Sequence, residues 1–325
     1  MKRKILSNIL LISASLHADS ISFTLYNDFF AGHDMHFTSA SSFIWVEDDS
    51  MQKNPYRDIL VSLLQKISIP IDTTKHHNAG INLEQMIVTP ENTRLKTPQY
   101  NDFPYAGYLS LSTFLLEWNH SSFTEYNIEF GVIGKDSGAE FIQNSFHKII
   151  GNEQLQGWNT QLNTHIYINL LYQRGVKSWQ GTLFNSTEAD WFNHYGVSAG
   201  TFDVSTFGGT TIRIGHNYIQ NFNTHYPYLK GEANLLQSDD LVHGFGWSLS
   251  TGLETKALLY SAILDGALSE GYQTHKHIFN ALACFSTSLY YDRHQLRLFY
   301  EIPTPYIKEE RKINIFGGLA YSYRF

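Results

Sequence analysis

The sequence predicts an all-β protein, a transmembrane antiparallel β-barrel of about 12 strands with a short extracellular helix. Three observations carry that prediction. Segments of about 10 residues alternate apolar and polar side chains along most of the chain, as strands do with lipid on one face and a polar interior on the other. Aromatic residues make up 15% of the sequence, yet beyond the N-terminus no run of about 18 apolar residues offers a spanning helix. Finally, Leu319, Tyr321, Tyr323 and Phe325 fall on one face at the very end of the chain. A closing strand must pair with the first and turn its outer side to lipid, which suits that ending.

In chain order, residues 1–18 read as a secretory signal: Lys2, Arg3 and Lys4 precede an apolar run through Ile12 and then small residues. The apolar run is roughly half the length that an anchoring helix needs. Residues 19–325 are then the barrel domain. The single cysteine, Cys284, rules out an intramolecular disulfide. A net charge of −7 with no basic run after the signal argues against nucleic acid as a partner.

The first strand is expected at Ile21 to Tyr26, ending at Asn27-Asp28, and a second runs from near Phe37 through Trp45. Residues 59–67 are amphipathic and read as a short helix or part of a long loop. Alternation resumes over Ile81 to Ile87, and the proline-bearing segment to Pro104 reads as an extended loop. Tyr108 to Trp118 and Tyr126 to Ile133 form a hairpin pair. Further segments are expected at 166–172, 179–184, 195–202, 210–214, 245–251, 257–264, 278–290 and 296–301. Between the hairpin and these, residues 137–153 form the one convincing helix. Ser137 and Glu140 have capping-box spacing, and Gly151 tolerates the left-handed end. Its apolar residues are Phe141, Ile142, Phe146, Ile149 and Ile150, but Gln143 and His147, four apart, share one side.

That polar pair is the first candidate for chemistry, since a neutral imidazole is the natural base near neutral pH and an amide can orient it. Its plain alternative is a surface histidine. Asn27-Asp28 is the second candidate: one carboxylate with loop carbonyls suits a hard cation such as Ca²⁺, against the alternative of an Asx turn ending a strand. His33, Asp34 and His36 match no zinc spacing, and His275 with His277 lacks a third ligand. Gly196 to Gly200 matches G-x-S-x-G, but it lies within a strand with no helix after it, so it is discounted. Arg94 and Lys96 form a modest cationic patch, either solvated or phosphate-binding.

In order, these pieces resemble the outer-membrane lipid A 3′-O-deacylase family, of LpxR type. The resemblance rests on YNDFF (26–30), HFTSA (36–40), NDFPYAGYLSLS (101–112) and, most specifically, GVIGKDSGAEFIQNSFHKIIGNEQLQGWNTQL (131–162). It implies a twelve-stranded barrel with its active site near the outer rim, between the wall and a loop helix, using Ca²⁺ to hydrolyse the ester of the 3′-linked acyloxyacyl group of lipid A. Position by position it implies His147 as the base and Gln143 as its neighbour, with Asn27, Asp28 and Thr38 facing them from the wall. Glu153 falls on a family motif position and is assigned with Asp28 to the metal; Arg94 and Lys96 are assigned to substrate phosphate. The chain departs from the pattern at Asp102-Phe103, where the family often has Asp-Arg, and at Thr93, where some relatives carry Lys.

The expected mechanism has His147 deprotonating a water while Ca²⁺ held by Asp28 offsets the charge growing on the ester oxygen. The expected partners are lipopolysaccharide and outer-membrane lipid, and the expected state is a monomer in the bacterial outer membrane. Two alternatives share the same sequence features: a serine-dependent outer-membrane phospholipase, and a non-catalytic porin or adhesin barrel.

Overall fold

The computed structural model describes residues 18–27, 37–47, 54–184, 186–224, 242–310 and 315–325. Twelve strands close into an antiparallel barrel in which each pairs with its sequence neighbours and β1 (Ala18–Asn27) closes on β12 (Phe316–Arg324). Between them lie β2 (Phe37–Glu47), β3 (His76–Val88), β4 (Ala106–Trp118), β5 (Ser122–Ile133), β6 (His165–Phe184) and β7 (Thr187–Gly200). The series continues with β8 (Asp203–His216), β9 (Phe245–Ser261), β10 (Phe279–Tyr291) and β11 (His294–Pro303). Two pairs of segments that the alternation separates, 166–172 with 179–184 and 245–251 with 257–264, are the single strands β6 and β9. In β9 the interruption is Glu254 and Lys256, which a two-sided apolar strand would not tolerate but a polar barrel interior does.

The closing register sets Phe23 opposite Tyr321 and Leu25 opposite Leu319. Phe23, Leu25, Phe43, Leu83, Leu111 and Phe130 are exposed on the outer face. The alternate residues point inward and are buried and polar, for example Glu84, Ser110, Glu129, Asp190, Arg213 and Glu301. Several are paired with one another: Tyr26 donates to Glu301 at 3.1 Å, Tyr167 to Glu129 at 3.0 Å, and Arg213 to Asp190 at 2.6 Å. Such pairing offsets the cost of burying charge. One apolar cluster, including Phe103, Tyr108, Leu162, Leu264 and Tyr272, packs at one rim, and another, including Phe114, Trp118, Phe123, Phe192 and Phe222, packs at the other.

The chain ends share a rim with three short turns, at 119–121, 185–186 and 292–293, and two long connections, 48–75 and 217–244, whereas the opposite rim has one short turn, at 201–202, and otherwise the longer connections 28–36, 89–105, 134–164, 262–278 and 304–315. Short turns mark the periplasmic rim and long loops the extracellular one. Three helices are found among the described residues: α1 (Pro55–Lys66), α2 (Ala139–Ile150) and α3 (Leu264–Ser269). The ambiguous amphipathic stretch is therefore helical, and it starts earlier than its apolar residues suggest. Pro55 opens it, and the Asn54 side chain accepts from the Tyr56 amide at 3.0 Å.

Candidate active site on the outer flank

On the outer face near the extracellular rim the lipid-facing pattern breaks. Counting by twos from exposed Leu25, Phe43, Leu83 and Leu111 leads to Asn27, Ser39, Gln85 and Gly107, none of which is a lipid-facing side chain. Gln85 is only 7% exposed and its neighbour on this face, Ile87, only 1%, so something covers them. The cover is α2, which lies against β3 and β4.

α2 does not begin as its sequence suggests. Its N-cap is Gly138, at φ 73°, and no side-chain cap forms, while Ser137 belongs to a preceding 3₁₀ turn. The capping-box expectation is thus corrected, and packing is the reason. Ser137 is buried against Gly107, where an added Cβ would collide with both the Ser137 hydroxyl and Ala139, and its hydroxyl accepts from the Ala139 amide at 3.4 Å rather than from that of Glu140. The helix end is as expected: Gly151 is left-handed at φ 75° and its amide bonds the His147 carbonyl.

Ala139, Gln143 and His147 are spaced by four and form the row that faces the wall, all buried. Phe141, Phe146 and Ile149 are exposed instead, Ile149 by 81%. A hydrogen-bonded relay runs through the buried row. The Ser39 hydroxyl donates to Gln143 Oε1 at 3.4 Å, the Gln143 amide nitrogen lies 2.9 Å from His147 Nε2, and His147 Nδ1 lies 2.6 Å from the Glu153 carbonyl oxygen. A carbonyl only accepts, so Nδ1 carries the proton, and Nε2 keeps its lone pair and accepts from Gln143. Ser39 sits opposite Asn27 in the β1–β2 register, bringing Asn27 to the same patch. Thr38 is the extra residue where the β2–β3 register shifts between Phe37 and Ser39, a bulge at the edge of the site.

The Glu153 carboxylate is held by Arg94, Nε to Oε2 at 3.1 Å, with both side chains about four-fifths exposed at 80% and 78%. The loop carrying Arg94 is tied down from below. Gln156 N and the Tyr105 hydroxyl both donate to Thr93 O at 3.0 Å, and Tyr105 packs on Trp158 with ring centroids 5.1 Å apart. Burial pushes the Tyr105 phenol up to about 12, so it remains a donor at any physiological pH. Lys96 is exposed on the same loop.

Sequence reasoning thus finds a set that the fold brings together: Asn27, Gln143, His147, Glu153 and Arg94. Asp28, His33, Asp34 and His36 lie outside the described residues, as does the side chain of Thr38. Ser39 and Gly107 were missed. The signal for both was available as breaks in the lipid-facing alternation. The departure at Phe103 has a structural use, because the side chain is 8% exposed within the rim cluster while Asp102 accepts from the Glu91 amide at 2.8 Å. Ser198, centre of the G-x-S-x-G match, points into the lumen and bonds Asn169 at 2.5 Å. His275 pairs with Glu309 at 2.9 Å in a rim connection, not on a strand.

Fold and site define an outer-membrane β-barrel whose polar, helix-covered patch lies on the lipid-facing flank of the wall. The family model described as outer membrane protein LpxR matches residues 5–325, and the chain belongs to that family. Among solved structures, LpxR from Salmonella typhimurium is similar at a TM-score of 0.75 and 14% identity, over 94% of this chain and 100% of that one. The β domain of the Bordetella autotransporter BrkA is similar at a TM-score of 0.47 and 8% identity, over 95% of this chain and 99% of that one. No match is found among curated proteins.

Proposed function

We propose that this protein is a Ca²⁺-dependent lipid A 3′-O-deacylase in which His147 activates water. Family membership supports the coarser statement of an outer-membrane protein that modifies lipid A. The observation that carries the finer one is the relay Ser39, Gln143, His147, Glu153: a buried neutral imidazole, with its lone pair and its proton each assigned, at a lipid-facing rim.

A water entering beside Gln143 would donate one hydrogen to His147 Nε2 as its oxygen attacks the ester carbonyl. The imidazolium so formed keeps Nδ1–H on the Glu153 carbonyl, whose partial negative charge favours it. Collapse of the tetrahedral adduct then returns the proton from Nε2 to the departing sugar oxygen, leaving a free fatty acid and a hydroxyl. Gln143 holds the ring in place, and Ser39 holds Gln143.

The residues present fit a hard cation and not zinc, because both ring nitrogens of His147 are already engaged and the remaining donors are oxygens. Asp28, Glu153 and the Asn27 amide would hold the ion, with Thr38 beside them. When bound, Ca²⁺ supplies positive charge for the ester oxygen. Arg94 and Lys96 would meet substrate phosphate. Arg94 uses Nε for Glu153, so its terminal nitrogens would be the ones to meet the phosphate.

Two observations weigh against the alternatives. Ser198 has a lumenal asparagine as its partner, and the described inward side chains are buried, as in a filled barrel. Mass spectrometry of lipid A from cells expressing the wild type and His147→Ala is the test. Loss of 3′-deacylation is expected in the variant, and in wild-type membranes on chelation with recovery on added Ca²⁺. Undiminished removal of the 3′ group in both cases would refute the reading.

A further inference from the structure

α1 lies on the outside of the same two strands, β3 and β4, as α2 does, but at the opposite rim, where Glu47 closes β2 beside Ala18. Its wall side is fixed by polar contacts. The Tyr56 hydroxyl donates to the Gly80 carbonyl at 2.7 Å and meets Thr113, while Arg57 reaches the His77 carbonyl at 3.2 Å and the Glu47 carboxylate at 3.6 Å. Beneath it Leu115, on the outward parity of β4, is only 1% exposed.

Successive helical residues turn by about 100°, which sorts α1 into three sectors of roughly a third of the circumference each. Arg57, Leu60, Val61 and Leu64 face the wall, and Tyr56 stands at the edge of that sector beside the apolar row. Ile59 and Leu63, continued by Ile67 at the C-cap, form an exposed apolar row, at 58%, 52% and 68% exposure. Asp58, Ser62 and Gln65 form an exposed polar row. A free-standing amphipathic helix has two faces, whereas three are required of a helix wedged where a vertical wall, a bilayer and water meet. The apolar row is also continuous with the wall's lipid-facing band, where Phe43, Ile81 and Leu111 are exposed on adjacent strands.

The geometry points to α1 as an interfacial helix whose Ile59–Leu63–Ile67 row is buried in the acyl chains of phospholipid in the periplasmic leaflet, with Asp58, Ser62 and Gln65 toward the periplasm. The barrel then grips both leaflets on one flank, through α2 outside and α1 inside. This holds whatever the chemistry at His147.

Site-directed spin labelling tests it on the full barrel in phosphatidylethanolamine/phosphatidylglycerol vesicles. Single cysteines replace Ile59 and Leu63 on one row and Asp58 and Ser62 on the other. Cys284 is buried, and the unsubstituted protein is the labelling blank. Labels at 59 and 63 should collide with oxygen several-fold more than with a water-soluble nickel chelate, and labels at 58 and 62 the reverse. Equal nickel access at all four sites would place the row in water. Labels at 59 and 63 shielded from both reagents would mean a protein neighbour. Either result overturns the inference.

Discussion

α1 and α2 are helices of equal length on the same two strands, and each fastens hydrogen-bonding side chains to the wall and exposes apolar residues away from it. What differs is the chemistry of those side chains. α1 meets the wall with a charged pair and a phenol whose partners are all supplied by the strands, which fastens it. α2 meets the wall with neutral groups linked in series, ending on an imidazole whose proton position is set by its neighbours but whose lone pair is held only by a side-chain amide that can move. A saturated contact is structural, and a contact with one replaceable partner is where a reactant can enter.

That contrast can be broken from either side. The largest effect is expected of Gly107→Leu, which removes the close approach that seats Ala139 and Ser137. α2 should leave the wall and deacylation should fall by about 10²–10⁴-fold, the usual worth of a positioned base. Heat-modified gel mobility should still report a closed barrel. At the other helix, Arg57→Ala removes the cation beside the buried Glu47 carboxylate, which keeps the Ala79 amide as a donor, and truncating one partner of a buried pair typically costs about 3–5 kcal/mol. The expected readout is a lowered thermal midpoint with deacylation by the folded fraction unchanged, so loss of activity there would erase the distinction between the helices.

Smaller effects sharpen it. Ser39→Ala removes one long neutral hydrogen bond worth about 0.5–1.5 kcal/mol, so kcat should drop a few-fold to about ten-fold with KM steady. An unaltered kcat would take Ser39 out of the relay. Arg94→Ala should have the least effect on the chemical step, because an exposed pair contributes little. Its expected signature is a higher KM on phosphorylated lipid A and none on the dephosphorylated form.

Much of the fold was legible because strands with two unlike faces obey a period of two that helices do not imitate, as in Ile21 to Tyr26 and Leu319 to Phe325. Legibility failed where the interior departs from an apolar core. Glu254 and Lys256 read as a break in β9 because their salt-bridging and hydrogen-bonding partners, such as Asp203 for Lys256 at 2.6 Å, are distant in sequence. In the site, Gln143 and His147 were marked by spacing on a helix, while Ser39 was not, since its role depends on which residue of α2 arrives against it.

By itself, then, the sequence determined the periodicity of the wall, the glycine stop at Gly151 and the pairing of Gln143 with His147 on one row, because all three follow from local backbone geometry. Only the tertiary structure decided that both helices lie outside the barrel, α2 with Gln143 and His147 against the wall and α1 with Arg57 against it. Amphipathicity records that two faces differ, and which one meets protein depends on whether the surrounding solvent is water or lipid. The close approach at Gly107 then settled where His147 stands.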